Sequence, residues 1–550
     1  MARIICSAEE VERRYGFTPN ERLLFSAIRL DSFPFVTPLI FEDGDTELLL
    51  ARQQEQGNIL SAGVAPERIR FYEPWVTIDP RPVAEFPAAT NLSALVRELV
   101  GDRPVELSPD APYAHFLKLS GEVEVRVPHE EPRPVSVYEV AQDDVANTFA
   151  KWRAAAVPVA SRVIAGVPHL AGLDAHFDAG TDTRFSGLAG VAERLGVNAI
   201  LISSDPNYSE ATGTPRGAGT RALWSQADGR LVVIADRELD GALGAPVASY
   251  DSAAQAILAH AGGSRIAFEE QWETSALGIE LSGGGAVLVA ASLALGSWRD
   301  ERDHEDLPFQ VLAARASTTA IEAAVAWAHG RLDAGESFTE NDMYAEYLAA
   351  LERFSGAAEV PFRIEPYFTN LHSSQRMLFP GPPTDFPINS ETTCVQLDAG
   401  VRVVIDGVTV ATSDMARSLL RTPEGREAYE ILTRAVREGV IPQLRPGVVC
   451  EDVHAGTLEY LAAVRPRMIE LGLLGEETDF DTEYRKRNVG HLMGKQESFA
   501  NELRPGYRFV LREGSYGAAE IPWRYGNYAI GTEDLWFIGA ERTYNLTLTE

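Results

Sequence analysis

Short apolar runs of strand length alternate along residues 1–300 with segments in which apolar side chains recur at helical spacing. Two stretches repeat one pattern, in which an Asp-Gly turn leads into a strand, then a helix, then a second strand. The residues concerned are 43–51, 93–100 and 104–107 in the first stretch, and 228–235, 252–261 and 265–268 in the second. Such a repeat predicts two similar α/β domains, which we place at 1–165 and 180–300.

The rest of the chain follows a different pattern and predicts one larger domain over 305–550. Residues 312–329 have the spacing of a long helix, and a capping sequence precedes a second helix that begins at Glu340. Strands dominate from Cys394 onward, where Asp406-Gly407 predicts a tight hairpin. The fold class is therefore α/β (α+β), with two small α/β domains before a larger one.

The composition is that of a globular protein: 45% of the residues are hydrophobic and 23% are charged. With 80 acidic and 49 basic residues the formal net charge is -31, which repels nucleic acid and anionic membrane surfaces. Cys6, Cys394 and Cys450 lack the spacing of a disulfide framework or a zinc ribbon. The N-terminus lacks the apolar core of a secretory signal. We therefore expect a cytoplasmic protein with a small-molecule substrate and no nucleic-acid or membrane partner.

Four side chains in the last third of the chain have the chemistry of metal ligands. They are Asp398, Asp414, His491 and Glu533. Two divalent cations held close together need carboxylates to balance their charge and a neutral imidazole to fix their geometry. An open position is then left for a water molecule. The four residues consequently predict a metal-dependent hydrolytic centre.

The motifs around these residues resemble those of the creatinase and aminopeptidase P family, which has the pita-bread fold. The motifs are Asp398-Ala399-Gly400, Ser413-Asp414-Met415-Ala416-Arg417, Gly490-His491-Leu492-Met493-Gly494, Leu503-Arg504-Pro505-Gly506 and Thr532-Glu533-Asp534. The resemblance covers roughly residues 306–550 and implies a pita-bread domain preceded by two creatinase-type N-terminal domains. It also implies that the two Asp, the His and two Glu hold a pair of Mn, Co, Fe or Zn ions.

The fifth ligand of the family pattern has two candidates in this chain. Counted from Pro505-Gly506, it falls on Arg512, and Glu513 follows. Arg512 in the pocket would pair with the carboxylates and supply the charge of a metal, so that at most one ion binds. Glu513 would serve as the ligand only if a bulge shifted the strand by one residue, and then two metals would bind.

Other positions of the family pattern also differ in this chain. Arg487 and Ser498 stand where the family has histidines that contact substrate, four residues before and seven after His491. His372 is the one histidine between Phe354 and Asp398, and we assign it a catalytic role as an alternative to a structural one. Trp523 is a candidate for the wall of the substrate pocket.

These positions predict an enzyme of this family that is not a standard Xaa-Pro aminopeptidase. We expect a hydrolase or lyase that acts on a small, carbon–nitrogen-linked and anionic substrate, with His372, His491, Glu533 and Arg512 as catalytic residues. Arg487, Ser498 and Trp523 would bind the substrate, and none or one divalent metal (Mn, Fe or Zn) would be held. The alternatives are a metal-dependent Xaa-Pro peptidase with two metals, and a non-catalytic binding module. The family resemblance further implies a homodimer.

Overall fold

The computed structural model describes residues 1–19, 38–52, 55–72, 88–177, 182–239, 243–300, 303–373, 381–479, 488–494, 497–525 and 528–549. Its strands form two seven-stranded sheets in the first half of the chain, and two central sheets and two small two-stranded sheets in the second half. None of the described helices is long and apolar enough to cross a membrane.

The first sheet is built from residues 2–126. Its elements are β1 (Ala2–Ile5), α1 (Ala8–Tyr15), β2 (Leu39–Asp43), β3 (Thr46–Arg52), α2 (Gln56–Ser61), β4 (Ile69–Tyr72), β5 (Ala88–Ala89), α3 (Leu92–Val100), β6 (Val105–Leu107), α4 (Tyr113–Ser120) and β7 (Val125–Arg126). The strand order is β5-β4-β3-β2-β1-β6-β7. Strands β1, β2 and β3 are antiparallel, while β6 and β7 continue the sheet in parallel.

The second sheet contains the second copy of the sequence pattern. Its elements are β8 (Val135–Val140), α5 (Gln142–Ile164), α6 (Arg184–Leu195), β9 (Ala199–Ile202), α7 (Asp205–Thr212), β10 (Thr220–Ser225), β11 (Leu231–Ala235), β12 (Ala248–Tyr250), α8 (Ala253–His260), β13 (Arg265–Phe268), α9 (Ser275–Gly283), β14 (Val287–Ala290) and α10 (Ser292–Asp300). The order is β12-β8-β11-β10-β9-β13-β14. Here β9, β10 and β11 are antiparallel and β13 and β14 continue in parallel, as in the first sheet.

The boundary that the sequence suggested between these two units is wrong. Strand β8 pairs with β11 over residues 136–140 and with β12 on its other side, so it belongs to the second sheet. Helix α5 follows β8 and packs in the same core cluster. The first unit therefore ends soon after Arg126 rather than at residue 165, because a strand belongs to the sheet that satisfies its backbone hydrogen bonds.

Helices α4 and α9 bring the two sheets together. Tyr113 lies against Gly278, where an added Cβ would be 2.4 Å from a carbon of the tyrosine ring. Only glycine permits this approach. The N–H of Tyr113 also donates to Glu273 O at 2.8 Å. The first two units are thus in direct contact through their helices.

The third unit follows from residue 303. Its elements are α11 (Asp303–Asp333), β15 (Phe338–Thr339), α12 (Glu340–Ala357), β16 (Arg363–Ser373), β17 (Pro387–Ile388), β18 (Cys394–Ile405), β19 (Val408–Thr412), β20 (Met415–Leu420), α13 (Pro423–Arg434), α14 (Cys450–Glu470), β21 (Gly490–Met493), β22 (Glu497–Glu502), β23 (Tyr516–Glu520), β24 (Trp523–Tyr525), β25 (Tyr528–Ile530), β26 (Glu533–Ile538) and β27 (Thr543–Asn545). A π-helical turn at Ala435–Val440 and a 3-10 turn at Ile441–Gln443 extend α13. The capping box predicted before α12 is present, formed by Thr339 and Asp342.

Two sheets lie between two helical layers in this unit. The sheet β16-β18-β19, with β20 on the free part of β18, shares its core with α11 and α12. The sheet β22-β21-β23-β26-β27 shares another core with α13 and α14. Strands alternate their side chains between faces, so each sheet has one face toward helices and one face toward the other sheet. The space between the two sheets is where polar side chains collect.

The predicted hairpin at Asp406-Gly407 is present, and both residues have positive φ (51° and 84°) as a tight turn requires. Its tip is held by the second unit, because the indole N–H of Trp152 in α5 donates to Asp406 Oδ2 at 2.9 Å. Another contact between these units joins Asn501 in β22 to Ser297 in α10 at 3.1 Å. The second unit therefore supports the edges of the third one.

Candidate metal centre

Two carboxylates enter the centre from the first sheet of the third unit. Asp398 lies in β18 opposite Asn370 of β16 and Ala416 of β20. Asp414 follows at the crossing from β19 to β20. Its neighbour Ser413 fixes this crossing, since the Ser413 hydroxyl accepts the N–H of Val401 at 2.9 Å. The two aspartates interact directly, and each influences the pKa of the other.

One imidazole and two further carboxylates enter from the second sheet. Glu520 of β23 lies directly opposite Glu533 of β26, and His491 of β21 lies opposite Ala518. Because Ala518 and Glu520 are two residues apart on one strand, the three side chains share a face. His491 Nε2 is 3.7 Å from Asp414 Oδ2 and 3.9 Å from an Oε1 atom of each glutamate. The two sheets thus meet at one cluster.

The imidazole of His491 is prepared to bind a cation. Its Nδ1 lies 3.0 Å from the carbonyl oxygen of Leu492, and an Nδ1–H that donates there leaves the Nε2 lone pair facing the carboxylates. Burial lowers the pKa of His491 to about 4, so the ring is neutral at neutral pH. A neutral imidazole is the form that binds a metal.

The pKa values of the carboxyl groups are raised, because burial removes water from the ionised groups and the groups repel one another. Burial raises the pKa of Asp398 to about 6 and that of Glu520 to about 8, and nearby acidic charge contributes to the rise for Glu520. Burial and repulsion raise the pKa of Asp414 and Glu533 as well. A divalent cation would reverse these shifts because it favours the ionised form of every group around it.

Several buried oxygen atoms of the cluster have no hydrogen-bond partner, which indicates whether a metal would fit. Within the described residues, no hydrogen bond reaches Asp398 Oδ1, Asp414 Oδ1 or Glu533 Oε1, although all three atoms are buried. Ligand atoms of Asp414, His491 and Glu533 lie within 4.8 Å of one another. Four carboxylates with one imidazole suit hard divalent cations such as Mn²⁺ or Fe²⁺. The residues present therefore fit the metals that the family resemblance implies.

The predicted identity of the fifth ligand is wrong. Both Arg512 and Glu513 are exposed in the loop before β23. The Arg512 N–H donates to Ser515 Oγ at 3.2 Å, and Glu513 lies 3.8 Å from His176 of the second unit. The fifth acidic side chain is Glu520. The error arose because the count placed the ligand between Pro505-Gly506 and Gly514, whereas residues up to Ser515 form a loop with Gly514 at φ 89° and the strand begins only at Tyr516.

A signal for Glu520 exists in the sequence. The run Tyr516-Gly517-Ala518-Ala519-Glu520 has small and aromatic residues of strand character and ends in an acid. Pro522 follows two residues later, where it ends the strand because proline cannot donate to a strand neighbour. The alternation of a strand then places Tyr516, Ala518 and Glu520 on one face.

The structure places the other predicted site residues in different environments. His372 is buried in β16 opposite Gln396, and it lies two residues from Asn370, so the two side chains share the face toward the centre. Arg487 and the side chain of Ser498 lie outside the described residues. Trp523 is 3% exposed and its indole N–H donates to Leu473 O at 2.8 Å. A tryptophan packed in this way belongs to the core beside α14, which contradicts a role in the pocket wall.

Three further polar residues lie around the centre, and none of them was predicted from the sequence. Glu502 of β22 is buried opposite His491, and burial raises its pKa to about 7 while Arg504 beside it acts in the other direction. Asn370 donates from Nδ2 to Asp398 Oδ2 at 3.1 Å. Gln396 lies two residues before Asp398 on the same face of β18. None of them belongs to a short motif, so only strand pairing identifies them.

Arg417, from the same motif as Asp414, contacts the strand that carries Glu533. It donates from Nη1 to the carbonyl of Glu533 at 2.8 Å and from Nη2 to Asp534 Oδ1 at 2.6 Å. Arg437 pairs with the other oxygen of Asp534 at 2.7 Å. Arg417 thus ties β20 of one sheet to β26 of the other and fixes the backbone that carries Glu533.

Comparison with known proteins agrees with this architecture. The profile of metallopeptidase family M24 matches residues 312–540. The X-prolyl aminopeptidase from Caenorhabditis elegans, described as a cytosolic enzyme with a di-nuclear active site, is similar over 98% of this chain and 83% of its own, with 12% identity and a TM-score of 0.60. No curated protein matches the sequence.

Two shorter structures resemble about two thirds of the chain. A dipeptidase from Pyrococcus horikoshii OT3 covers 67% of this chain and 98% of its own, with 19% identity and a TM-score of 0.51. The N-terminal domain of the FACT complex subunit SPT16 from chickpea covers 66% and 96%, with 13% identity and a TM-score of 0.51. Identities this low show the fold alone. Together with the M24 match over residues 312–540, they show that the third unit has the pita-bread fold of the creatinase and aminopeptidase P superfamily.

Proposed function

We propose that the protein is a metal-dependent hydrolase that cleaves a carbon–nitrogen bond of a small substrate. The observation that carries this proposal is the convergence of His491 Nε2 with carboxylate oxygens of Asp414, Glu520 and Glu533, all within 3.9 Å. Asp398 completes a set of five ligands. The di-nuclear centre named for the C. elegans enzyme supports two cations over one.

Bound divalent cations would lower the pKa of a water molecule and polarise the group under attack. The chain holds and orients them: His491 stays neutral, the four carboxylates supply negative charge, and Arg417 fixes the strand of Glu533. His372 lies on the same face, beyond Asn370, and we assign it contact with the substrate. Glu502 adds a further buried carboxyl group beside the ligands.

The expectation that none or one metal is bound loses its main support. It required Arg512 in the pocket as a substitute for a cation, but Arg512 is exposed. The expectation of an anionic substrate rested on Arg487 and Arg512, and we do not retain it. The fold alone does not establish catalysis, since it is shared with a subunit of the FACT complex. Five intact ligands favour an enzyme over a binding module.

The substrate is proposed to differ from that of a standard Xaa-Pro aminopeptidase. Arg487 and Ser498 stand where the family has imidazoles. Neither side chain titrates near neutral pH, so neither replaces a histidine in proton transfer. Turnover of Xaa-Pro peptides is therefore expected to be slow relative to turnover of the proper substrate.

Metal analysis of purified protein, followed by a substrate panel, tests this function. Metal-free protein incubated with Mn²⁺ or Fe²⁺ and then desalted should retain two ions per chain. The loaded protein should hydrolyse at least one member of a panel of Xaa-Pro dipeptides, other dipeptides and small amides, and a chelator should abolish this activity. A protein that retains no metal under these conditions would contradict the proposal.

A further inference from the structure

Two buried amide side chains beside Asp398 are placed to receive hydrogen-bond donors. Asn370 and Gln396 are 7% and 5% exposed, respectively. In the parts of the chain that the structure describes, no donor reaches Asn370 Oδ1 or Gln396 Oε1. Buried polar atoms usually have partners, so two unsatisfied acceptors near one centre indicate a ligand.

The orientation of Asn370 is determined by its neighbour. Its Nδ2 donates to Asp398 Oδ2 at 3.1 Å, and the opposite orientation would place the amide oxygen against a carboxylate. The side-chain oxygen therefore faces away from Asp398 and remains an acceptor. A cation at Asp398 strengthens this preference, because it keeps the carboxylate ionised.

Gln396 lies on the same side of the sheet. It is two residues from Asp398 along β18, and its cross-strand partners are His372 and Ser418. Gly531 precedes Glu533 by two residues. A Cβ added to Gly531 would lie 3.7 Å from Nε2 of Gln396. Gln396 thus occupies the space between the two sheets next to the carboxylate cluster.

We infer that Asn370 and Gln396 determine specificity by accepting hydrogen bonds from a substrate nitrogen group that carries at least two N–H donors, such as an ammonium or amidinium group. Unsatisfied amide oxygens next to a cluster of carboxylates do not favour an anion, but they suit a cation with N–H bonds. This inference deepens the proposed function, since the same centre would position that nitrogen group next to the bond that is cleaved.

The test separates N–H recognition from positive charge. Metal-free protein is titrated with ethylammonium and with ethyltrimethylammonium, which have the same charge but differ in N–H donors, and binding is followed by calorimetry or by the shift in melting temperature. Wild-type protein should bind ethylammonium about tenfold more tightly, the effect of one to two hydrogen bonds. Gln396→Leu and Asn370→Leu should each reduce this ratio severalfold.

A stability measurement distinguishes recognition from a structural role. Gln396→Leu removes an unsatisfied buried acceptor, so the melting temperature should stay the same or rise, whereas loss of a structural hydrogen bond would lower it. Thr369→Val is the matched control, because Thr369 is the neighbour of Asn370 on β16 but contacts Tyr344 on the opposite face. It should leave the binding ratio unchanged.

Two results would overturn the inference. One is a wild-type protein that binds both probes equally, and the other is a ratio that survives both leucine substitutions. Because these titrations use metal-free protein and no turnover, they remain decisive if hydrolysis is never observed. Conversely, a protein that binds metal and hydrolyses amides but does not distinguish the probes would uphold the proposed function and reject this assignment.

Discussion

Glu520 and Glu533 lie directly opposite each other on the antiparallel neighbours β23 and β26. Two ionised glutamates in this position repel each other, so they must bind a proton or have a cation between them. The burial of both groups makes the repulsion stronger, because the low dielectric of the interior screens charge poorly. This pair is the clearest structural reason to expect metal in the protein.

Replacement of Glu520 by Gln should weaken metal binding at least about tenfold, because it removes an ionised ligand while keeping the size of the side chain. Equilibrium dialysis against Mn²⁺ with metal analysis measures the effect. Glu513→Gln and Arg512→Glu are the matched controls. Both change a charge in the exposed loop before β23 and should leave the metal content unchanged. Loss of metal in Glu513→Gln but not in Glu520→Gln would contradict the assignment of the fifth ligand.

The metal-free protein should lose stability as the pH rises from about 6.5 to about 8. The folded-state pKa of Glu520 is raised to about 8, and those of Asp414 and Glu533 are raised as well. The folded state then holds more protons than the unfolded state in this window, so the free energy of unfolding falls by up to about 1.4 kcal/mol per pH unit for each such group.

His491 contributes little to this change. Its folded-state pKa of about 4 lies below its unfolded value of 6.5. Its contribution to the free energy of unfolding therefore rises with pH only between about pH 4 and pH 6.5. Melting temperatures at pH 6.5 and pH 8 measure the prediction. Metal-loaded protein should show the reverse trend, because its ligands must be deprotonated to bind. A metal-free protein that becomes more stable toward pH 8 would show that the carboxylates are ionised without a cation.

Arg417→Met should destabilise the third unit by about 3–5 kcal/mol, because it leaves Asp534 buried with less compensation and frees the carbonyl of Glu533. Arg363→Met is the control, since Arg363 forms an exposed ion pair with Glu365 and should cost no more than about 1 kcal/mol. Thermal and denaturant melts measure both. Equal losses in the two variants would mean that Arg417 does not hold the sheets together.

Trp523→Phe should lower stability by about 1–3 kcal/mol, because it leaves the carbonyl of Leu473 without its indole donor and removes buried surface. The KM of whichever panel substrate is hydrolysed should not change. A change in KM without a loss of stability would return Trp523 to the wall of the pocket.

The sequence alone determined most of the third unit and four of the five side chains of the candidate metal centre. Asp398, Asp414, His491 and Glu533 are each next to a glycine or within a short motif, so local pattern and chain order suffice to find them. The superfamily and the fold class are confirmed by the M24 match and the structural similarities. The helices at 312–329 and after Thr339, and the Asp406-Gly407 hairpin, also followed from spacing and turn chemistry.

Only the tertiary structure decided the fifth ligand, the polar residues around it and the assignment of β8. Whether Arg512 or Glu520 faces the candidate metal centre depends on where the loop after Gly506 ends and the strand begins, which sequence counting does not reveal. Asn370, Gln396 and Glu502 become site residues through their cross-strand neighbours, far apart in sequence. Strand β8 belongs to the second sheet because β11 forms the hydrogen bonds to its backbone there. In each case the deciding interaction is a pairing between distant strands, and local sequence does not specify a distant partner.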